Sequence, residues 1–300
     1  MPLLGKKYFL TGASGFVGKS VLSVFGQHNF QIWRRNEGFE FDGTVSVIHL
    51  AGKAHDLKNT ATSQDYYEVN TELTKKVYDA FIASEAKVFI TLSSVKAAAD
   101  EVDDELTEDF TPNPITHYGK SKLLAEQYIL SKVIPDGKRV YILRPCMIHG
   151  PGNKGNLNLL YSLVSKGLPW PLGLFENSRS YLSIENLCFI IKELIDREDI
   201  PSGVYNVADD GPLSTNEVIK LIAESSGKKA RIVNLSNNLI KVLARVGDLL
   251  NLPLNSERLQ KLTESYVVCN AKIKEALGKQ LPVSSKEGLM RTFQSLADHV

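Results

Sequence analysis

Residues 11–18 read TGASGFVG, between an apolar run at residues 7–10 and an apolar-periodic stretch at residues 15–25. These stretches predict a strand, a tight turn and a helix, the context of a nucleotide-binding glycine motif. There the first glycine permits the bend, the second lets the backbone approach a pyrophosphate, and the third allows close helix–strand packing. The free N–H groups and the helix dipole favour an anion. A glycine-rich turn without a ligand is the less favoured alternative. We expect a dinucleotide to contact Gly12, Ser14, Gly15, Phe16, Val17 and Gly18.

Strand-like and helix-like stretches alternate through the first half of the chain. The further predicted strands are Phe30 to Trp33, Val45 to Leu50, Val88 to Leu92 and Val140 to Leu143, and the further predicted helices are Gln64 to Ala83 and Thr116 to Lys132. This alternation predicts an α/β fold with a doubly wound parallel sheet of the Rossmann type. Only nine residues, Asn36 to Thr44, remain between Arg35, at the end of the second strand, and Val45, too few for a normal helical crossover. We therefore expect a trimmed sheet edge near Phe39 to Asp42.

Proline and glycine become frequent from Gly150 onward, which marks a change in organisation. We expect a first domain, which contains the dinucleotide-binding turn, at residues 1–150 and a smaller second domain at residues 151–300. A helix at Ile184 to Arg197 and a strand at Val204 to Val207 are expected to return to the first domain. The acidic run Asp100 to Glu105 is interpreted as a solvated loop.

Composition excludes several classes of protein. The 300 residues are 43% hydrophobic and 23% charged with a net charge of +1, so nucleic acid is not an expected partner. The start MPLLGKKYFL leaves no room for a signal peptide, and no apolar run approaches the roughly 20 residues of a membrane span. We expect a cytoplasmic protein without a structural metal, because its three cysteines are widely spaced and are interpreted as reduced thiols: Cys146, Cys188 and Cys269.

The end of the second predicted strand carries two arginines, Arg34 and Arg35, and the nearest acid is Glu37. NAD-binding folds place an acidic residue at this position for the ribose hydroxyls. Two guanidinium groups suit a 2′-phosphate through charge-assisted hydrogen bonds. This pattern favours NADP(H) over NAD(H), with two ordinary surface arginines as the alternative.

Tyr118 and Lys122 stand four residues apart in HYGKSKLLAEQYIL, a stretch with helical periodicity. The spacing places them on one helix face. A free phenol has a pKa of about 10, and a fixed ammonium beside it favours the phenolate and lowers that pKa. A surface tyrosine and a solvated lysine would explain the pair alone. With the glycine turn and the hydroxyls of Ser93 and Ser94, the pair indicates proton transfer.

Further segments occur in a recognisable order, and they extend over nearly the whole chain: HLAG (49–52), LSS (92–94), YGKSK (118–122), LRPCMIHGPG (143–152), NSRSYLSIENL (177–187) and NAKIKEALG (270–278). With TGASGFVG they make the chain resemble the extended short-chain dehydrogenase/reductases, the NAD(P)-dependent epimerase/dehydratase group that includes UDP-galactose 4-epimerase. SSVK and KGNLNLLYSLVSKGLPWPLG look most like bacterial UDP-N-acetylhexosamine 4-keto reductases of O-antigen and capsule assembly.

The resemblance implies an NAD(P)-binding domain at residues 1–150 and a nucleotide-sugar substrate domain at residues 151–300. It also implies three catalytic residues. Ser94 matches the hydroxyl that hydrogen-bonds the reacting sugar oxygen, and Tyr118 matches the general acid/base. Lys122 matches the residue that holds the nicotinamide ribose and lowers the tyrosine pKa, with Asn70 as a support behind it. The resemblance also implies further cofactor contacts at Asp42, Leu50, Ala51, Gly52, Pro145 and Ile148, and substrate contacts at Lys96, Asn156 and the diphosphate clamp Arg179.

Departures from the family pattern reduce the number of reactions that this chain is expected to catalyse. Val95 and Lys96 follow Ser94 where 4,6-dehydratases carry Asp-Glu, which argues against dehydration, and the cysteine of the C3/C5 reductase-epimerases is missing there. Ala97 to Ala99 and His149 also depart from common residues on the sugar side. The reading favoured by the resemblance is a reductase of the C4 keto group of a UDP-4-keto-6-deoxy-N-acetylhexosamine. The alternatives are a UDP-hexose 4-epimerase with bound NAD and a non-catalytic nucleotide sensor. A homodimer is a further expectation.

Overall fold

The computed structural model describes residues 7–41, 43–53, 62–153, 155–250 and 255–297. The strands are β1 (Lys7–Thr11), β2 (Phe30–Ile32), β3 (Thr44–His49), β4 (Val88–Leu92), β5 (Glu105–Leu106), β6 (Arg139–Pro145), β7 (Met147–His149), β8 (Tyr181–Ser183), β9 (Gly203–Val207) and β10 (Val267–Val268). The helices are α1 (Phe16–Phe25), α2 (Ser63–Tyr66), α3 (Leu73–Ala83), α4 (His117–Leu130), α5 (Asn156–Ser165), α6 (Ile184–Asp196), α7 (Thr215–Ser225), α8 (Asn237–Leu250), α9 (Ser256–Thr263), α10 (Ala271–Leu277) and α11 (Ser285–Ala297). A π-helical turn, Tyr67–Glu72, joins α2 to α3.

Six parallel strands form the central sheet in the order β2-β1-β3-β4-β6-β9. The chain passes from β1 to β2 on one side and then crosses to β3 on the other, so the order reverses between β1 and β3. In open parallel sheets this reversal creates a crevice at the carboxyl ends of the strands. The expected doubly wound fold is confirmed. Among the described residues, no helix has the length and apolarity needed to cross a bilayer.

The sheet edge at β2 is short, as the sequence predicted. The Trp33 N–H donates to the Leu10 carbonyl at 2.9 Å, and the chain then turns through Asn36, whose φ is 75°. Phe41 comes back onto the sheet and packs edge-on against Phe9 at 4.6 Å between ring centroids. A direct return of eleven residues or so leaves no room for a crossover helix.

Buried side chains cover both faces of this sheet and form a third core farther along the chain. One face packs against α1 and α6, and the other packs against α3 and α4. The third core joins α5, α7, α8 and α11, helices that the sequence reading did not propose. The strand β9 completes the central sheet beside β6. The domain limits at residues 150 and 151 stay a prediction.

Candidate active site

The glycine turn after β1 forms a cradle that larger residues would fill. Gly12 has a φ of 75°, and a Cβ built there would lie 2.5 Å from the Ala51 nitrogen. A Cβ at Gly18 would clash with the Gly12 carbonyl. Helix α1 begins after Gly15 with neither a capping side chain nor an acid in its first turn, so its N-terminus suits an anion. This cradle fits a dinucleotide pyrophosphate, and it contains all six residues predicted for that role.

The other predicted cofactor contacts cluster at the same sheet edge. Leu50, Ala51 and Gly52 follow β3, and the Ala51 N–H donates to Thr11 Oγ1 at 3.1 Å beside the turn. Pro145 ends β6 and Ile148 lies in β7. Between these two, Cys146 is buried, and burial raises the pKa of its thiol well above the ordinary range, which fits a packed thiol. The predicted contact Asp42 lies outside the described residues.

Two arginines and one acid share the turn that follows β2. Arg34 and Arg35 are exposed. The Glu37 carboxylate accepts a hydrogen bond from the Arg34 backbone N–H at 3.0 Å, and the Trp33 indole donates to the Glu37 carbonyl at 3.1 Å. Within the described part of the chain, neither guanidinium group forms an ion pair. The turn therefore offers two cations for a 2′-phosphate, and one carboxylate that suits ribose hydroxyls.

Ser94 and Tyr118 meet through their hydroxyl groups. Ser94 follows β4 and is buried, and its Oγ accepts from the Lys96 N–H at 3.2 Å. Tyr118 lies in the first turn of α4 and is hydrogen-bonded to Ser94. A Cβ at Gly119 would collide with the Lys96 carbonyl, so this glycine permits the helix to approach the serine turn. Two predicted catalytic residues are thus in direct contact.

The pKa of Tyr118 is raised above its ordinary value, contrary to the sequence expectation. Burial is the largest cause; the hydrogen bond from Ser94 works in the opposite direction, and the nearby Tyr66 adds to the rise. The expected lowering by Lys122 was wrong for the chain itself. The lysine Nζ donates instead to the Leu92 carbonyl at 2.8 Å, and burial lowers the pKa of Lys122 to about 8. Both side chains are therefore held toward their uncharged forms.

Asn70, in the π-helical turn, forms hydrogen bonds that hold segments next to Lys122 in place. Its amide donates to the Ser121 hydroxyl at 3.0 Å and to the Lys53 carbonyl at 3.1 Å, while its Oδ1 accepts from the Lys53 N–H at 2.8 Å. A Cβ at Gly52 would lie 3.0 Å from the lysine Nζ and 3.2 Å from Asn70 Oδ1. Asn70, Gly52 and Lys122 therefore surround one point. π-Helical turns often occur at functional sites.

A buried ion pair that sequence reasoning missed lies behind Lys122. Glu126 and Arg144 are 2% and 4% exposed, and their bidentate contact includes 3.0 Å from Nε to Oε1 and 2.5 Å from Nη2 to Oε2. Ser93 also donates to the Glu126 carboxylate. Glu126 follows Lys122 by four residues, and this spacing could have indicated a shared helix face.

His49 links the end of β3 to the helix behind the site and was also missed. Thr74 donates to the Asn70 carbonyl at 2.8 Å, so its oxygen accepts from His49 Nε2 at 2.9 Å. The other ring nitrogen, Nδ1, then accepts from Thr11 at 2.7 Å. Burial, aided by the positive charge of Lys122, lowers the pKa of His49 to about 3. The ring therefore acts as a neutral structural bridge.

The predicted substrate residues Lys96 and Arg179 lie close enough for the charge of Arg179 to affect the pKa of Lys96. The lysine Nζ lies 4.3 Å from the centroid of the Tyr266 ring, and the Tyr266 hydroxyl donates to the Ala99 carbonyl at 2.7 Å. Arg179 donates to the Lys261 carbonyl and lies 3.6 Å from Glu264. Burial lowers the pKa of Lys96, and the charge of Arg179 contributes.

Two further predictions on this side have mixed outcomes. Asn156 begins α5, and its side chain lies outside the described part of the structure. The acidic run is mostly an exposed loop, as predicted, but Asp100 is half-buried. The Asp100 carboxylate accepts from the N–H groups of Ile115 and Thr116 at 2.6 and 3.1 Å, so it holds the start of α4. Asp100 therefore helps to position Tyr118. Farther along the run, Glu105 lies in β5, which pairs with β10.

Comparison with known proteins agrees with this geometry. The model of the NAD dependent epimerase/dehydratase family matches residues 34–208, more than half of the chain. UDP-glucose 4-epimerase of Vibrio cholerae is 29% identical over 97% of this chain and 95% of its own length. GDP-6-deoxy-D-mannose reductase of Pseudomonas aeruginosa is 25% identical over 76% of this chain and 83% of its own. The solved structure of RMD from Pseudomonas aeruginosa complexed with NADPH has the same fold, with a TM-score of 0.74 at 21% identity; the match covers 98% of this chain and 100% of that chain. This chain belongs to the NAD dependent epimerase/dehydratase family and is an enzyme of the NAD(P)-dependent group that acts on nucleotide sugars.

Proposed function

We propose that this enzyme reduces the C4 keto group of a UDP-4-keto-6-deoxy-N-acetylhexosamine, with NADPH, in surface polysaccharide biosynthesis. The observation that carries the proposal is the hydrogen bond between Ser94 and Tyr118 at the sheet edge that also holds the glycine turn. The product would be UDP-N-acetylquinovosamine or its C4 epimer, UDP-N-acetylfucosamine. The choice of sugar rests on the resemblance of SSVK and residues 154–173 to such reductases, and is an analogy.

Proton transfer is the part of the reaction that the chain's own residues perform. When bound, a reduced nicotinamide would supply a hydride to the C4 carbon. Tyr118 donates its proton to the C4 oxygen, so the carbonyl becomes an alcohol. Ser94 donates a hydrogen bond to that oxygen as negative charge develops on it. The raised pKa of Tyr118 keeps the phenol protonated before the reaction, which suits a proton donor.

Lys122 is proposed to stabilise the phenolate that Tyr118 leaves behind. The lysine pKa of about 8 lies close to neutral pH, where the group exchanges protons readily. Its Nζ is next to Gly52, where even a Cβ would come within 3.0 Å of it. We infer that the nicotinamide ribose lies against the backbone of Gly52 and that its hydroxyls meet the lysine.

The substrate diphosphate is proposed to meet Lys96 and Arg179. Tyr266 contacts both of them, because the Lys96 ammonium lies over its ring and its backbone forms a bridge with Arg179. Two positive charges in a half-buried setting favour a diphosphate over a neutral ligand. Arg179 would exchange its internal contacts with Lys261 and Glu264 for the phosphates.

A UDP-hexose 4-epimerase with bound NAD is the second candidate. Two observations favour it: the 29% identity to a UDP-glucose 4-epimerase and the Glu37 carboxylate at the end of β2. An epimerase would use the same proton relay twice, first to oxidise C4 and then to reduce its other face. Arg34 and Arg35 favour NADPH and therefore the reductase.

One set of incubations separates the two candidates. Purified enzyme is heated to release any retained nucleotide, which mass spectrometry identifies. Fresh enzyme then receives UDP-4-keto-6-deoxy-N-acetylglucosamine with NADPH or NADH, or UDP-glucose or UDP-N-acetylglucosamine without added cofactor, with Tyr118→Phe as the inactive control. The proposal predicts that NADPH is oxidised when the keto sugar is added and that neither UDP-hexose reacts. Retained NAD together with C4 epimerisation of a UDP-hexose would overturn it in favour of the epimerase.

A further inference from the structure

Helix α8 exposes a continuous apolar face. It buries only a narrow seam of Ile240, Ala244 and Gly247. Six aliphatic residues on one side of that seam, called here the α8 stripe, are 40% to 82% exposed: Leu239, Val242, Leu243, Val246, Leu249 and Leu250. Spacings of three and four residues place them on one helix face. Scattered exposed leucines are ordinary, but a contiguous apolar face indicates a binding surface.

Positive charge is concentrated in the segment of the sequence that contains α8. Residues 228–261 contain seven lysines and arginines against two acids, whereas the whole chain has a net charge of only +1. The polar face of α8 itself carries Lys241 and Arg245 against Asp248. The cations of the segment with exposed side chains are Lys228, Lys229, Arg231, Lys241, Arg245 and Arg258. The partner of this surface must therefore combine an apolar layer with negative charge.

A second copy of the chain does not meet that requirement. A twofold interface through α8 would bring two segments of net charge near +5 together, and like charges across an interface are unfavourable. An anionic bilayer offers acyl chains to the aliphatic face and phosphates to the cations. The helix has 14 residues, about 21 Å at 1.5 Å per residue, so it can lie in the interface plane.

We propose that the α8 stripe docks this enzyme on the surface of an anionic lipid bilayer. Helix α8 inserts its leucines and valines between the headgroups, and the cations of residues 228–261 contact lipid phosphates. The stripe is on α8, whereas Ser94 follows β4 and Tyr118 and Lys122 are on α4, so docking is expected to leave the reaction itself unchanged and to bring it to the membrane surface. The inference does not depend on the proposed substrate.

Vesicle sedimentation tests the proposal. Wild-type enzyme is mixed with vesicles of phosphatidylcholine, or of phosphatidylcholine with phosphatidylglycerol, at low and high salt. It should bind the anionic vesicles and be released by salt. Val242→Glu with Leu249→Glu should weaken binding about ten-fold or more, because each change places a charge in the apolar interface. The matched control is Val24→Glu with Val133→Glu, which changes two valines that are 60% and 89% exposed elsewhere and should leave binding intact.

A second pair of variants separates charge from apolar contact. Lys241→Gln with Arg245→Gln should weaken binding to anionic vesicles and reduce its salt dependence. Circular dichroism and thermal unfolding check that every variant is folded. Absence of wild-type binding, or equal binding to both kinds of vesicle, would overturn the proposal. So would a dimer in light scattering that the Val242 and Leu249 changes convert to monomer, since this would assign the stripe to a second copy.

Discussion

Replacing Lys122 with Met is expected to inactivate the enzyme and stabilise the fold. The fall in the lysine pKa from 10.5 to about 8 corresponds to about 3 kcal/mol of unfavourable free energy at pH 7. Methionine has a similar shape and no charge, so this cost disappears. Loss of the hydrogen bond to the Leu92 carbonyl offsets this gain by about 1 kcal/mol. The net gain in free energy of unfolding at pH 7 is therefore about 2 kcal/mol.

The pH dependence gives this prediction its sharpest form. Below pH 8 the lysine is charged in both the folded and the unfolded chain, and the full cost is present. Between pH 8 and 10.5 only the unfolded chain holds the proton, so the wild-type stability rises with pH. The gain in free energy of unfolding of Lys122→Met over wild type should therefore shrink to about zero near pH 9.5. Denaturant unfolding at pH 7 and 9.5 measures both values.

Lys120→Met is the matched control, because Lys120 is exposed on the same helix and an exposed lysine contributes little to stability. This variant should retain activity and show the same stability as wild type at both pH values. The reasoning fails if Lys122→Met is less stable than wild type at pH 7, or if its advantage does not change with pH.

Four other variants have definite expected outcomes. Tyr118→Phe should lower kcat about 100-fold or more with unchanged dinucleotide affinity, as steady-state kinetics and cofactor titration will show. Arg34→Ala with Arg35→Ala should remove a preference for NADPH over NADH of roughly ten-fold; equal wild-type affinities at one ionic strength would contradict the NADP assignment. Arg179→Ala should weaken calorimetric binding of UDP but not of the cofactor, and unchanged UDP affinity would move the substrate site elsewhere. Gly119→Ala should lower kcat in a folded protein, because the methyl group displaces the serine turn; wild-type kcat would contradict this packing.

Local patterns in the sequence were sufficient to predict the central sheet and the glycine turn. The apolar runs of β1, β3, β4 and β6 carry their own signal, since strands buried on both faces are nearly continuous in hydrophobic residues. The short path between β2 and β3 followed from a residue count. Gly12 and Gly18 were predictable because their roles are properties of the backbone.

The second half of the chain was read less completely than its sequence allowed. The composition shift at Gly150 is real, but helical signals resume after it. Ser214 and Glu217 form a capping box at the start of α7, a pattern visible as S-x-x-E. The apolar spacing in α8 is equally local. By contrast, His149 contacts Thr292, 143 residues away, and no local pattern in one sequence indicates such a pair.

Burial shifts the two titratable residues of the active site so that at neutral pH Tyr118 is protonated and Lys122 is still charged but close to its titration point. Burial raises the pKa of Tyr118 and lowers that of Lys122, so each group is shifted toward its neutral form. An unpaired Glu126 one turn away would strongly favour the charged lysine. Glu126 raises the pKa of Lys122, and the larger effect of burial brings it to about 8. The same carboxylate forms a bidentate contact with Arg144, 18 residues farther along the sequence. We expect the opposite charge of this buried arginine to limit the effect of Glu126 on the lysine.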